Sequence, residues 1–217
     1  PLSSSAASDV YKRQANASSL PVTVKHRIGI DDLDSDEHLT AFVDQVASAG
    51  ASRFSVHARK AWLEGLDPKQ NRTIPPLQHD RVQALKQRRP HLTIELNGGL
   101  ESPEDCLEAL VHCDGAMVGR AAYAHPLRWA SMDNLVFGES PRTVLASDVV
   151  TGLIPHASAH LRRGGRLWDL CRHLVQLVEG VRGARHWRRE LGKRAQRPGA
   201  DLTVLEEAGR QLRDAGL

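Results

Sequence analysis

The sequence predicts an α/β fold with a parallel sheet, followed by an all-helical region. Four short apolar segments, residues 22–31, 53–62, 92–99 and 115–123, each end in a polar, ligand-capable group, and helix-like stretches separate them. Strand, helix, strand, helix is the order that joins parallel neighbours through crossover helices. Beyond Pro141 the strand pattern stops and helical stretches follow one another.

Residues 1–20 are rich in Ser and Ala, with no sustained apolar period and none of the apolar centre that a secretory signal needs. They read either as a native linker or, from the wording of PLSSSAASDVYKRQ, as translated adapter sequence, and are left outside the fold. The first strand segment, VTVKHRIGID, leads through an acidic loop at 31–36 into a helix over 37–49, with Leu39, Phe42, Val43 and Val46 at helical spacing and Gly50 ending it. The second, RFSVHARKAW, opens a loop over 62–78, and loops of that length are usually functional. A helix over 77–87 precedes the third segment, LTIELNGG. Another over 102–110, with Ser102 as N-cap and Pro103 at its first position, precedes the fourth, GAMVGRAAY. The sheet-bearing part is expected to end near Gly138, with a boundary at Pro141 and helices over 143–161, 167–178, 182–194 and 202–214.

Composition sets the bounds. With 217 residues, 41% hydrophobic and 25% charged, the chain can bury one good core or two modest ones. No apolar run reaches the roughly 18 residues of a membrane span. Three cysteines without metal-like spacing point to free thiols, a reducing cytoplasmic setting and no metal site. The net charge of +3 divides into −3 over residues 1–140 and +6 over 141–217. A mildly acidic body with a basic tail suits one part doing chemistry and the other holding a polyanion; the plainer alternative is a solvated basic helical domain.

Strand ends form the active face of parallel α/β folds of this kind. Lys25, His57, Asn97 and Arg120 at or just past those ends bring a cation, an imidazole, an amide and a guanidinium to one mouth, a set suited to an anionic, hydrogen-bonding cofactor. Lys25 could equally serve a strand-end salt bridge, and His57 could be a satisfied core histidine. Asn97, Gly98 and Gly99, with Gly119 and Arg120 one unit later, supply backbone N–H groups and charge for a phosphate, although each pair alone reads as a turn. The long loop carries Arg59, Lys60, Lys69 and Arg72 near Trp62, either a rim for nucleic acid or ordinary loop charge. In the tail, Arg182, Arg185, Arg189 and Lys193 recur at helical spacing with Arg188 beside Arg185, while Trp187 packs the helix.

The segments VKHRIGID, HARKAWLEGLDPKQNRTIPPL, NGG and MVGR, followed much later by GARHWRR, resemble in wording and order the A-type tRNA-dihydrouridine synthases. The resemblance runs from about Pro21 to near the C-terminus. It implies the C-terminal half of a (β/α)8 TIM barrel followed by a small all-helical domain, since residues 21–140 hold four strands where a complete barrel takes roughly 250 residues. The implied division is a leader at 1–20, an FMN-binding half barrel at 21–140 and a helical tRNA-binding domain at 141–217. By resemblance, Lys25, His57, Asn97, Gly98, Gly99, Gly119 and Arg120 contact FMN, and Lys69, Arg72, Arg185 and Arg188 contact tRNA. The implied reaction reduces a D-loop uridine to 5,6-dihydrouridine, with NADPH as reductant and a cysteine as general acid. That cysteine belongs to the half of the barrel not found here, and none of Cys106, Cys113 and Cys171 substitutes for it. No catalytic residue is therefore assigned, and the chain alone is expected to be inactive, monomeric and cytoplasmic. Two rivals stand beside this reading. A small-molecule FMN oxidoreductase of the dihydroorotate dehydrogenase kind leaves the basic tail without a role; a non-catalytic RNA-binding fragment needs no flavin.

Overall fold

Strands β1 (Val24–Arg27), β2 (Arg53–His57), β3 (Thr93–Asn97) and β4 (Gly115–Met117) lie side by side in that order, every neighbouring pair parallel. The computed structural model describes residues 4–181 and 183–217, and these are the sheet strands among them. The helices α2 (Asp36–Ser48), α3 (His79–Arg88) and α4 (Pro103–His112) make the crossovers. Alternation along the strands sorts the side chains. Phe54, Val56, Ile94 and Leu96 are buried, as are Val43 and Val46 of α2, Val82 and Leu85 of α3, and Cys106 and Ala109 of α4. The opposite face of the sheet carries Lys25, Arg27, Ser55, His57, Glu95 and Asn97.

Local chemistry explains where the helices start. The Ser35 hydroxyl accepts from the backbone N–H of His38, with Asp36 and Glu37 in the first turn. At α4, Ser102 and Asp105 form a reciprocal capping box with Pro103 just inside it. The strands are shorter than the segments that predict them. After Arg27, Ile28 donates to the His57 carbonyl at 3.1 Å, Ile30 keeps an isolated parallel bridge with Ala61, and the chain then turns through Asp31 at φ 47. Residues 4–17, excluded in the sequence reading, form a helix, α1 (Ser4–Ala17), that packs on α2: the Ser8 hydroxyl donates to the Gln45 carbonyl and the Tyr11 hydroxyl to the Gly50 carbonyl.

A second unit begins at Gly119, well before the boundary expected at Pro141. It contains α5 (Arg120–Ala124), α6 (Met132–Phe137), α7 (Ala146–Arg162), α8 (Trp168–Leu174), α9 (Ala184–Ala195) and α10 (Thr203–Asp214). The early start has a physical cause. His125 pairs with Glu179 at 2.5 Å, the Tyr123 hydroxyl bonds the His173 ring at 2.8 Å, and Leu127 packs against the helical core, so residues 119–129 belong to that core by contact. Its centre is Val150, Leu167, Cys171, Trp187, Leu191 and Leu205, with α7 lying against α10. No helix of the described residues is long and apolar enough to cross a membrane.

Candidate functional site

Strand register fixes the layout at the C-terminal edge of the sheet. Arg27, His57, Asn97 and Met117 are successive partners across the four strands and form the last row of side chains. Lys25 lies one row back, opposite Ser55 and Glu95. The structure thus brings Lys25, His57 and Asn97 to one face as expected, and adds Arg27, which the sequence reading overlooked. Strict alternation from Lys25 would have found it, because residues i and i+2 of a strand share a face.

The row is held by directed bonds. The Asn97 side-chain amide donates to the Met117 carbonyl at 2.7 Å, tying β3 to the end of β4. The Arg59 backbone N–H donates to His57 Nδ1 at 3.2 Å, so the neutral ring carries its proton on Nε2. Gly98, at φ 106, has its missing Cβ where it would stand 3.0 Å from the His57 ring. Gly99, at φ 75, makes the same allowance for the Leu77 side chain. The His79 ring donates to the Gly98 carbonyl at 2.7 Å. The two glycines are therefore required by the packing of the site itself, in addition to any ligand.

His26 shows the contrast between the two faces. It points the other way from Lys25, its ring 4.9 Å from Phe42 and 6.0 Å from Phe54 between centroids, and burial pushes its pKa down to about 4. It is a neutral core residue. On the open face the charges are cationic: burial and then the neighbouring Arg27 lower the Lys25 pKa, and burial followed by the nearby Arg59 and Arg72 lowers that of Arg27. Like charges gathered in this way are relieved by an anion. The Glu95 carboxylate on the same face is already engaged by Ser55 and by Arg53 at 2.6 Å.

The long loop is closely tied to this edge. Arg27 donates to the carbonyls of Lys60 at 2.8 Å and Asn71 at 2.9 Å, and Arg59 donates to those of Thr73 and Pro75. Lys60 pairs with Asp34 at 2.9 Å and lies 4.0 Å over the Trp62 ring. Lys69 caps a short 3-10 turn (Gln70–Arg72) that ends on Arg72, and both are exposed.

Gly119 and Arg120 open the second unit, both exposed, with Arg120 the first residue of α5. Among the described residues, nothing beyond its own chain neighbours lies within 4 Å of where a Gly119 Cβ would be. On α9, Arg185, Arg188, Arg189 and Lys193 are exposed, while Ala184, Trp187, Leu191 and Ala195 are buried. Trp187 packs, as expected, and its ring N–H donates to the Leu174 carbonyl at 3.4 Å. Arg182, the first member of the predicted stripe, lies outside the described residues. The three cysteines are buried on helices or at a helix cap, and burial pushes the Cys113 and Cys171 thiols up to about 11.

Comparison with known proteins gives these arrangements their context. The family model described as dihydrouridine synthase matches residues 4–212. The tRNA-dihydrouridine(20/20a) synthase of Shewanella oneidensis is 47% identical over 189 residues, covering 87% of this chain and 56% of that protein. The proteins of the same name from Salmonella typhimurium and Escherichia coli K12 are each 45% identical over 207 residues, 95% of this chain and 62% and 60% of theirs. The chain thus spans about 60% of the length of the curated relatives it matches. The match begins inside the segment that the sequence reading left out. With most of its length matched by that family model, the chain belongs to the dihydrouridine synthase family.

Proposed function

We propose that this chain works in an A-type tRNA-dihydrouridine synthase, which reduces a D-loop uridine of tRNA to 5,6-dihydrouridine with FMN as cofactor and NADPH as reductant. The observation that carries the reading is the cationic face, where Lys25 lies one row behind Arg27, His57 and Asn97 at the strand ends. The one-way strand order, without the reversal of a doubly wound sheet, supports taking the sheet as four strands of a (β/α)8 barrel, its C-terminal half, with the second unit as the helical tRNA-binding domain. A flavin reduced within a barrel mouth needs its base substrate drawn out of the RNA, which is the reason to couple a sheet of this kind to a basic helical unit. A cytoplasmic monomer completes the proposal.

The residues present fit FMN. The exposed Lys25 ammonium, set among like charges, favours negative charge on a bound ring. His57, with its proton on Nε2, donates a hydrogen bond, and Gly98 keeps the ring in place. Asn97 and Gly99 complete this part of the site, while Gly119 and Arg120 are assigned to the phosphate by their backbone N–H groups and charge after the last strand and by the resemblance. FMN, when bound, supplies the two-electron carrier between NADPH and uridine. Lys69, Arg72, Arg185 and Arg188 hold the tRNA backbone. The proton for the uridine ring comes from a group outside this chain, because all three thiols here are buried; the chain by itself binds without turning over.

Titration of the chain with FMN and with a tRNA transcript tests both halves. Lys25→Ala is expected to weaken quenching of flavin fluorescence. Arg185→Ala with Arg188→Ala is expected to weaken tRNA binding about tenfold and to lower the slope of log K against log salt by about two. Unchanged flavin affinity in the first variant would reject the cofactor assignment, and an unchanged salt slope in the second the RNA assignment.

A further inference from the structure

We infer that Asn71 is a positioning residue for the nucleic-acid substrate: it holds residues 62–72 in one shape and ties that shape to the end of β1, so that Lys69 and Arg72 meet the RNA backbone as a fixed pair. The inference rests on the tRNA reading above and deepens it.

The geometry uses every polar atom of Asn71 in stitching the loop to itself or to the sheet, its backbone N–H donating to the Asp67 carbonyl at 2.9 Å. Its Oδ1 accepts the Trp62 backbone N–H at 2.8 Å, and its Nδ2 donates to the carbonyls of Trp62 at 2.6 Å and Leu66 at 3.2 Å. A planar group with an acceptor and two donors is needed to engage both backbone groups of Trp62 and still reach Leu66, which asparagine provides and aspartate does not. The Asn71 carbonyl then accepts from Arg27 at 2.9 Å, and the same guanidinium nitrogen donates to Lys60 at 2.8 Å, so both ends of the loop meet at one residue of β1. Next to this knot, Asp67 Oδ1 accepts the backbone N–H groups of Lys69 and Gln70, each at 2.7 Å, fixing the turn that displays Lys69.

Arg72 stands close enough to Arg27 to disfavour its protonation, after burial and Arg59. Asn71 joins the two directly, with its carbonyl on Arg27 and its peptide bond to Arg72. Holding two cations close is unfavourable in the free protein and becomes favourable when a phosphate lies between or beside them.

A double-mutant cycle separates positioning from simple support. Four chains are compared for tRNA affinity and salt slope: the parent, Asn71→Ala, Lys69→Ala with Arg72→Ala, and the triple variant. Asn71→Ala is expected to weaken binding about fivefold and lower the slope by about one, with strand amides still protected from hydrogen exchange. Asn71→Ser, which keeps one oxygen able to accept from Trp62, is expected to fall between. In the Lys69/Arg72 double background, Asn71→Ala is expected to change nothing further. An equal loss in both backgrounds overturns the inference, as does an Asn71→Ala chain that binds like the parent while the double variant binds weakly. If the double variant itself binds normally, the tRNA reading of the loop fails first, and that outcome is distinct from the other two.

Discussion

Basic residues do different work in the two units. In the sheet unit many are paired inward: Arg81 with Asp34 at 2.7 Å and Asp36 at 2.8 Å, Arg89 with Asp44 at 2.5 Å, Lys86 with Asp114 at 2.7 Å and Lys60 with Asp34 at 2.9 Å. Several of these side chains are half-buried; those on Asp34 and Asp36 fasten the loop after β1 to α3 and the start of α2, Arg89 ties the end of α3 to the middle of α2, and Lys86 ties α3 to the turn before β4. Partial burial works against ionised Asp34, yet Arg81 and Lys60 hold its carboxyl below the usual range. On α9, by contrast, Arg185, Arg188 and Lys193 make no ion pair among the described residues, although Arg189 and Arg194 do. A charge engaged by its own protein builds structure, whereas one held out on a rigid helix is available to a partner. Net charge alone cannot tell these apart; the location of the counter-charge does.

The contrast can be broken from either side. The largest effect is expected from Phe54→Ala, which empties a fully buried site in β2 and should cost about 3–5 kcal/mol. Hydrogen exchange should then rise across β2 and β3 and stay slow in α7 and α10; a joint loss of protection would show one cooperative body in place of two. Next comes pH. His26 has its pKa depressed from 6.5 to about 4 in the folded chain, so the unfolded chain binds the proton more tightly, and stability falls as pH drops from about 6.5 toward 4. The full loss is roughly 3 kcal/mol. His26→Phe should flatten that part of the denaturation profile for the sheet unit; a profile as steep as the parent's would mean another group titrates there. The smallest effect is expected from Ser102→Ala, which removes half of a capping box and should cost about 1 kcal/mol, read as a lower denaturation midpoint for the same unit.

Most of this architecture could be read from residue order. Leu39, Val43 and Val46 mark the buried stripe of α2, and Ser102 with Pro103 marks the start of α4, because these signals are local. The residues misjudged depend on distant partners. Tyr123 looks like the end of a strand segment, with His125 just past it, until His173 and Glu179 claim them for the helical unit. In the leader, Tyr11 finds its acceptor at Gly50, far along the chain. The site divides in the same way. Lys25, His57 and Asn97 are legible at strand ends, but the part played by Arg27 depends on register with β2 and on the carbonyls of a loop that folds back over it. Asn71 is one polar residue among several in that loop, and only its bond partners distinguish it.

The strand order described above has a consequence for synthesis on the ribosome. Each strand pairs with the one made just before it, β2 on β1, β3 on β2 and β4 on β3. A strand leaving the exit tunnel therefore meets a partner already in place, and the sheet can grow in the direction of translation without waiting for a distant segment. The same order leaves the edge of the newest strand open at every stage, so a pause in elongation within residues 58–92, between β2 and β3, would prolong the exposure of the β2 edge. Synonymous codons in that interval offer a way to vary the yield of folded chain without changing a single residue.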